Sequence, residues 1–185
     1  MFKSPIESPP AGDGDERSQF AYWLQRARPE WHVLNRGVDG ERSDQIESRI
    51  ERDVVAHSPR VVVIIAGVND VYQGRQAAEV VARLRSMYGR ARAAGIAVVA
   101  GTIVPYNTAT AGQNDQMRAI NAWISEEAQR DSNILAVDTR AAVAAPGNPD
   151  VLAASPDGLH PDIDGYRRMA EALEPAISRQ LVTNR

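Results

Sequence analysis

Four short runs rich in valine and isoleucine alternate with amphipathic segments through this chain. The runs are WHVLN (31–35), RVVVIIAG (60–67), IAVVAGTIV (96–104) and NILAVD (133–138). Apolar runs of this kind are typical of strands buried on both faces, as in a parallel sheet. They predict an α/β sandwich in which helices cover both faces of the sheet.

The segments around these runs carry helical patterns. In 43–56, Ile46, Ile50 and Val54 recur at a spacing of four residues, and Ser43 suits the N-terminal cap. The other predicted helices are 15–28, 75–94, 114–131 and 161–182, the last with Pro161 in its first turn. Residues 146–160 read as a loop. We therefore expect one domain over 1–185, with an irregular N-terminal loop over 1–14.

The first predicted helix, 15–28, lacks the strand that should precede it in a doubly wound fold. Residues 1–14 contain three prolines and few strongly apolar side chains, so they do not predict a buried strand. In this type of sheet the first strand is central. Its absence would leave the strands at 31–35 and 60–66 beside unpaired backbone groups. We expect the gap to be closed by re-pairing, by the N-terminal segment, or by another chain in a homo-oligomer.

The composition disfavours several classes of function. A net charge of −3 without a lysine- and arginine-rich block argues against a nucleic-acid partner. No run approaches the roughly 20 apolar residues that span a bilayer. The absence of cysteine excludes thiol catalysis and thiolate metal sites. The three histidines are scattered, so we expect no metal centre.

Polar loops follow the predicted strands and should share one edge of a parallel sheet, where ligands bind in such folds. In SPDGLHPD (155–162), Asp157 can orient His160, which then acts as a general base. In the loops at 35–44 and 67–74, the Gly37 N–H and the Asn69 amide can form an oxyanion hole. This arrangement needs a hydroxyl nucleophile, because the chain has no cysteine.

Each of these loops also has a structural interpretation. Glycine and asparagine favour turns, and DGLHP can simply begin a capped helix. The other acidic residues after the strands are expected to be solvated, capping or structural, namely Asp44, Asp70 and Asp138. His32 and His57 are expected to be non-catalytic. The occurrence of the polar loops at one edge, in one order, favours a catalytic site.

Three blocks of the sequence, taken together, resemble the SGNH hydrolases, the GDSL-type esterases and lipases. NRGVDG matches the glycine block and assigns Gly37, GVND assigns Asn69, and DGLH assigns Asp157 and His160. GTIVPYN (101–107) is similar to the family's fourth strand and the loop after it. The resemblance runs from about residue 17 to the end. It implies a flavodoxin-like parallel sheet in a three-layer sandwich, a serine nucleophile and no cofactor.

The family's first block, Gly-Asp-Ser after the first strand, is absent. GDG at 12–14 has Gly14 where the serine would stand. We favour a strand and serine encoded upstream of Met1. Ser8 is a second candidate nucleophile, although no strand precedes it, and Ser4 is weaker. A natural relative without the serine is the third alternative.

The resemblance implies a hydrolase of small or short-chain acyl esters, with acetylated carbohydrates among the candidates and weak activity if the serine is missing. The alternative is an inactive module that binds a ligand in the same groove. A nucleotide-binding domain is disfavoured, because NRGVDGER lacks the spacing of a phosphate-binding glycine loop. As written the sequence favours the cytoplasm, whereas an upstream segment would permit secretion.

Overall fold

The computed structural model describes residues 15–183. Its helices are α1 (Phe20–Ala27), α2 (Ser43–Ser48), α3 (Ile50–Asp53), α4 (Val68–Tyr72), α5 (Ala77–Ala93), α6 (Ala111–Arg130), α7 (Thr139–Val143) and α8 (Ile163–Thr183). Its strands are β1 (Val61–Ile64), β2 (Ala97–Gly101), β3 (Ile134–Val137), β4 (Ala144–Ala145) and β5 (Asn148–Leu152). Within this part of the chain, no helix is long and apolar enough to cross a lipid bilayer.

The central sheet is parallel, with the strand order β1-β2-β3. Val61 lies opposite Ala97, and Val98 lies opposite Ile134. Every residue of β2 is buried, as expected for a strand with a neighbour on each side and helices on both faces. Three of the predicted strands, in the runs 60–67, 96–104 and 133–138, are therefore confirmed.

Helices cover both faces of this sheet, which confirms the predicted α/β sandwich. Val98 and Ala100 pack in a core cluster with side chains of α5 and α6, including Leu84. Val99 points to the opposite face and packs with Leu24 of α1 and Leu173 of α8. This alternation is the two-residue period of a strand. Among the described residues no strand pairs with the outer edge of β1, which fits the predicted lack of the first strand.

The predicted strand at 31–35 is wrong. This segment lies against α1, where the Gln25 side chain acts as its hydrogen-bonding partner. The Gln25 amide donates to the carbonyl of Trp31 at 2.7 Å and accepts from the N–H of Val33 at 3.1 Å. A strand is defined by pairing with a neighbour, and here the backbone groups are satisfied by a helix side chain instead. The proposed contribution of residues 1–8 to the sheet lies outside the described residues.

The predicted helix at 43–56 is divided at Arg49, whose backbone leaves the helical region with φ −112° and ψ 5°. Its side chain binds Glu41 and Asp53 and donates to the carbonyl of Arg36. These contacts tie the 35–44 loop to the helical layer.

Near the C-terminal end of the chain, α8 begins at Ile163 rather than at Pro161, because Asp162 accepts the Gly165 N–H at 2.7 Å and caps the helix. The predicted loop at 146–160 also holds β5, which pairs antiparallel with β4.

Candidate active site

The three polar loops singled out in the sequence, together with the loop at the end of GTIVPYN (101–107), make four loops that are linked at one edge of the sheet. The backbone N–H of Asn107, after β2, donates to the carbonyl of Gly158 at 2.8 Å. The side chain of Asn69, after β1, donates to the carbonyl of Glu41 at 2.9 Å. The ring of His160 approaches Asp39 of the same 35–44 loop. These contacts join the loops into one connected surface at the carboxyl ends of the parallel strands β1 and β2.

Asp157 and His160 lie in contact within this surface. Asp157 Oδ2 is 2.7 Å from His160 Nδ1, and Asp157 Oδ1 accepts the backbone N–H groups of Leu159 and His160 at 2.8 Å each. A carboxylate can only accept, so Nδ1 carries the proton that is shared with Asp157. In the neutral ring this leaves the lone pair on Nε2, the atom that a general base must present.

The surroundings of Asp157 favour the ionised form of its carboxyl group. Partial burial opposes ionisation, but the hydrogen bonds from the His160 ring and from the N–H groups of His160 and Leu159 outweigh it. Together they lower the pKa of the Asp157 carboxyl to about 2. Asp157 is therefore ionised across the pH range in which hydrolases work.

Ser155 fixes the turn that carries this pair, a role that the sequence interpretation missed. Its hydroxyl donates to the carbonyl of His160 at 2.6 Å and accepts the N–H of Gly158 at 2.8 Å. The signal was present in the sequence, since serine before Pro-Asp-Gly is typical of turns closed by a side-chain hydroxyl.

His160 Nε2 faces a carboxylate, that of Asp39, at 3.7 Å. This neighbour was also missed, because nothing in the spacing of NRGVDG predicts which side chain turns towards the last loop. Among residues 15–183 no hydroxyl forms a hydrogen bond with Nε2. The candidate nucleophile Ser8 lies outside the described residues.

The two predicted oxyanion donors are both engaged within the protein. The Gly37 N–H donates to the side-chain oxygen of Asn35 at 2.9 Å. The Asn69 amide donates one hydrogen to Glu41 and has a second to offer. The Gly37 N–H can therefore serve a ligand only after the Asn35 side chain turns away.

Asp70, next to Asn69, has a structural role. It is buried and accepts both the N–H and the hydroxyl of Ser43, at 2.8 and 2.7 Å, so it binds the first residue of α2 from α4. Asp138 caps α7 through the N–H of Ala141 at 2.9 Å. Asp44 is paired with Arg42 near the surface.

A cavity of about 370 Å³ lies away from this site, at the outer edge of β3. Its lining includes Arg118 and Arg140 and none of the predicted site residues. Both arginines are already paired with Asp150. The oriented histidine of the 155–160 turn therefore lies outside this cavity.

Comparison with known proteins agrees with this fold. The curated relative acetylxylan esterase from Geobacillus stearothermophilus is 28% identical over 181 residues, covering 88% of this chain and 80% of that protein. A GDSL-like lipase structure from Bacteroides thetaiotaomicron superposes with a TM-score of 0.71 at 24% identity, covering 86% of this chain and 84% of that one. A mutant of Axe2, an acetyl-xylooligosaccharide esterase from Geobacillus, gives a TM-score of 0.67 at 24% identity, covering 88% and 78%.

The match at the level of the family spans most of the sequence. Residues 5–168 match the GDSL-like Lipase/Acylhydrolase family, a range that includes all four of the polar loops. The chain therefore belongs to the GDSL-like lipase/acylhydrolase family.

Proposed function

We propose that this chain hydrolyses carboxylic esters with small or short acyl groups, with His160 as the general base and Asp157 as its orienting acid. The observation that carries the proposal is the 2.7 Å contact between Asp157 and His160 Nδ1, on a turn that leaves Nε2 directed at the loop surface. Membership of an acylhydrolase family and similarity to an acetylxylan esterase support the same reaction class.

In the proposed reaction, Nε2 of His160 takes the proton of a hydroxyl group while the oxygen attacks the ester carbonyl carbon. Negative charge then develops on the carbonyl oxygen, where the second amide hydrogen of Asn69 stabilises it, joined by the N–H of Gly37 once the Asn35 side chain has turned away. Collapse of this intermediate breaks the bond to the alcohol, which leaves with the proton from Nε2. Asp157 stabilises the imidazolium form throughout.

The hydroxyl group is either a serine, with Ser8 as the candidate in this sequence, or water. With a serine, an acyl-enzyme forms and a water molecule releases the acid by the same proton transfers in reverse order. With water, the acid is released in one step, and no acyl-enzyme accumulates. The two routes differ in whether a burst of alcohol precedes the steady state.

The test is hydrolysis of 4-nitrophenyl acetate by the intact chain and by three variants. His160→Ala and Asp157→Asn should each lower kcat by on the order of a hundredfold or more, because each removes part of one proton relay. Ser8→Ala distinguishes serine from water as nucleophile. Equal rates for the parent chain and His160→Ala would contradict the proposed catalytic role.

A ligand-binding module without catalysis is the second candidate. The observation that favours it is the carboxylate of Asp39, rather than a hydroxyl, opposite Nε2 in the described residues. A chain that binds a carbohydrate ester but releases no acid from it, even at high protein concentration, would establish this alternative.

A further inference from the structure

The side chain of Tyr72 is a large exposed aromatic group beside the candidate site. It is 52% exposed, although it follows directly on Asp70 and Val71, which are buried. Asn69 and Tyr72 are three residues apart in α4, so they are neighbours on the surface of that helix. An aromatic ring is therefore held next to a candidate oxyanion donor.

The ring of Tyr72 is fixed by the fold. It packs edge to face against the buried Tyr106, with centroids 5.6 Å apart and planes at 70°. Asp70 anchors the same helix through its two hydrogen bonds with Ser43. An exposed ring that is immobilised in this way loses little conformational entropy when a ligand packs on it.

Tyr106 also connects this ring to the catalytic turn. The next residue, Asn107, donates its backbone N–H to the carbonyl of Gly158, which lies between Asp157 and His160 in the chain. Tyr72 therefore lies near Asn69 in α4, and its partner Tyr106 directly precedes the residue that is bonded to the 155–160 turn.

The surroundings of the two rings are polar. Most of the polar residues that follow Tyr72 or Tyr106 in the chain and are exposed carry amide or hydroxyl groups, namely Gln73, Gln76, Asn107, Thr108 and Thr110. The charged exception, Arg75, is paired with Glu79. By contrast, only two large apolar side chains besides Tyr72 are exposed among the described residues, Leu34 just before the 35–44 loop and Val182 near the end of α8. A long acyl chain needs a continuous apolar wall, whereas a sugar ring needs one aromatic face bordered by hydrogen-bonding groups.

We propose that Tyr72 is the platform on which the sugar ring of an acylated carbohydrate packs, and that it determines specificity for such esters. The C–H groups on one face of the sugar contact the electron-rich face of the phenol ring, while amides and hydroxyls nearby bind the sugar hydroxyls. This inference rests on the proposed function for its place in catalysis, but the binding it describes can be measured without hydrolysis.

The experiment is calorimetric titration of the intact chain with xylotetraose, an unacylated xylo-oligosaccharide that cannot be hydrolysed at an ester. The parent chain and Tyr72→Phe should bind within about twofold of each other. Tyr72→Ala should bind on the order of tenfold more weakly, since the ring contact is lost. Tyr72→Leu, which keeps an apolar side chain without a π face, should also be weak. Val182→Ala is the matched control and should bind like the parent.

Three results would overturn the platform: no saturable binding by the parent chain, unchanged binding by Tyr72→Ala, or full binding by Tyr72→Leu. His160→Ala, which is expected to lose hydrolysis, should bind xylotetraose like the parent. Sugar binding without ester hydrolysis would therefore refute the proposed function and leave the proposed sugar platform standing.

In an active chain, Tyr72→Ala should lower kcat/KM for acetylated xylotetraose at least fivefold more than for vinyl acetate. An equal loss on both esters would overturn the proposal.

Discussion

Gly67 is predicted to be essential for the position of α4, the helix that carries Asn69. Its φ of +126° lies in a region that favours glycine, and a Cβ atom here would lie 2.7 Å from Cγ1 of Val80. Val80 is fully buried in the core on α5, and its branched side chain has little rotameric freedom. The substitution Gly67→Ala therefore combines a strained backbone with a steric clash.

The two effects can be given magnitudes. Backbone strain of this kind costs about 1–3 kcal/mol, and overpacking a core costs about 1–3 kcal/mol. We expect Gly67→Ala to lower the free energy of unfolding by about 2–6 kcal/mol, out of about 5–15 kcal/mol for a typical domain. For a chain of this size the melting temperature should fall by roughly 4–24 °C.

Urea unfolding followed by circular dichroism measures this loss, and a double-mutant cycle with Val80→Ala separates its two parts. Removing Cγ1 relieves the clash but not the strain, so the cycle should show a favourable coupling of about 1–3 kcal/mol. The control is Gly89→Ala within α5, where a Cβ meets nothing within 4 Å and the substitution should stabilise. A Gly67→Ala protein with the parent midpoint, or a cycle without coupling, would refute the reasoning.

Two further predictions concern charged groups. Because the pKa of Asp157 is lowered to about 2, its contribution to stability is complete above about pH 4 and lost as the pH falls through the folded pKa. The difference in melting temperature between the parent and Asp157→Asn should therefore shrink between about pH 4 and pH 2, and a constant difference would contradict it. Asp150→Ala should destabilise by about 2–4 kcal/mol in urea unfolding, because it leaves the buried guanidinium of Arg140 without its carboxylate at 2.8 Å. Asp115→Ala, which removes an exposed partner of Arg118, should change stability by less than about 1 kcal/mol, and equal losses would show that burial does not matter here.

The sequence patterns correctly predicted the strands that pair with a neighbouring strand, and they wrongly predicted a strand where no such pairing occurs. The valine runs around Val62 and Val98 form strands because each faces a neighbour and two helical layers. The run at 31–35 is also largely apolar, but the Gln25 side chain bonds the backbone groups of Trp31 and Val33. The β-propensity of a segment depends on its own residues, whereas a strand forms only when the segment pairs with another. The hairpin of β4 and β5 was missed for a related reason, since the proline and glycine at 146–149 are typical of loops.

The site shows the same division between local and distant contacts. The pairing of Asp157 with His160 is formed within four consecutive residues, and the carboxylate is satisfied by N–H groups of the same turn. A sequence motif can therefore anticipate its geometry. The approach of Asp39 to Nε2 depends on how a loop more than a hundred residues away in sequence is held, and no local pattern predicts it.

This division also indicates which half of the site depends on the rest of the fold. The 155–160 turn is held by Ser155, by Asp157 and by the Asn107 N–H after β2, so it should keep its shape whatever pairs with the outer edge of β1. The 35–44 loop is held by Arg49 and by Asn69, and its Gly37 N–H is occupied by Asn35. Because Asn35 in turn donates to Gln19 of the N-terminal region, a change in how that region packs acts first on the oxyanion donors. An additional strand beside β1 would therefore act on the oxyanion hole before it acted on the proton relay.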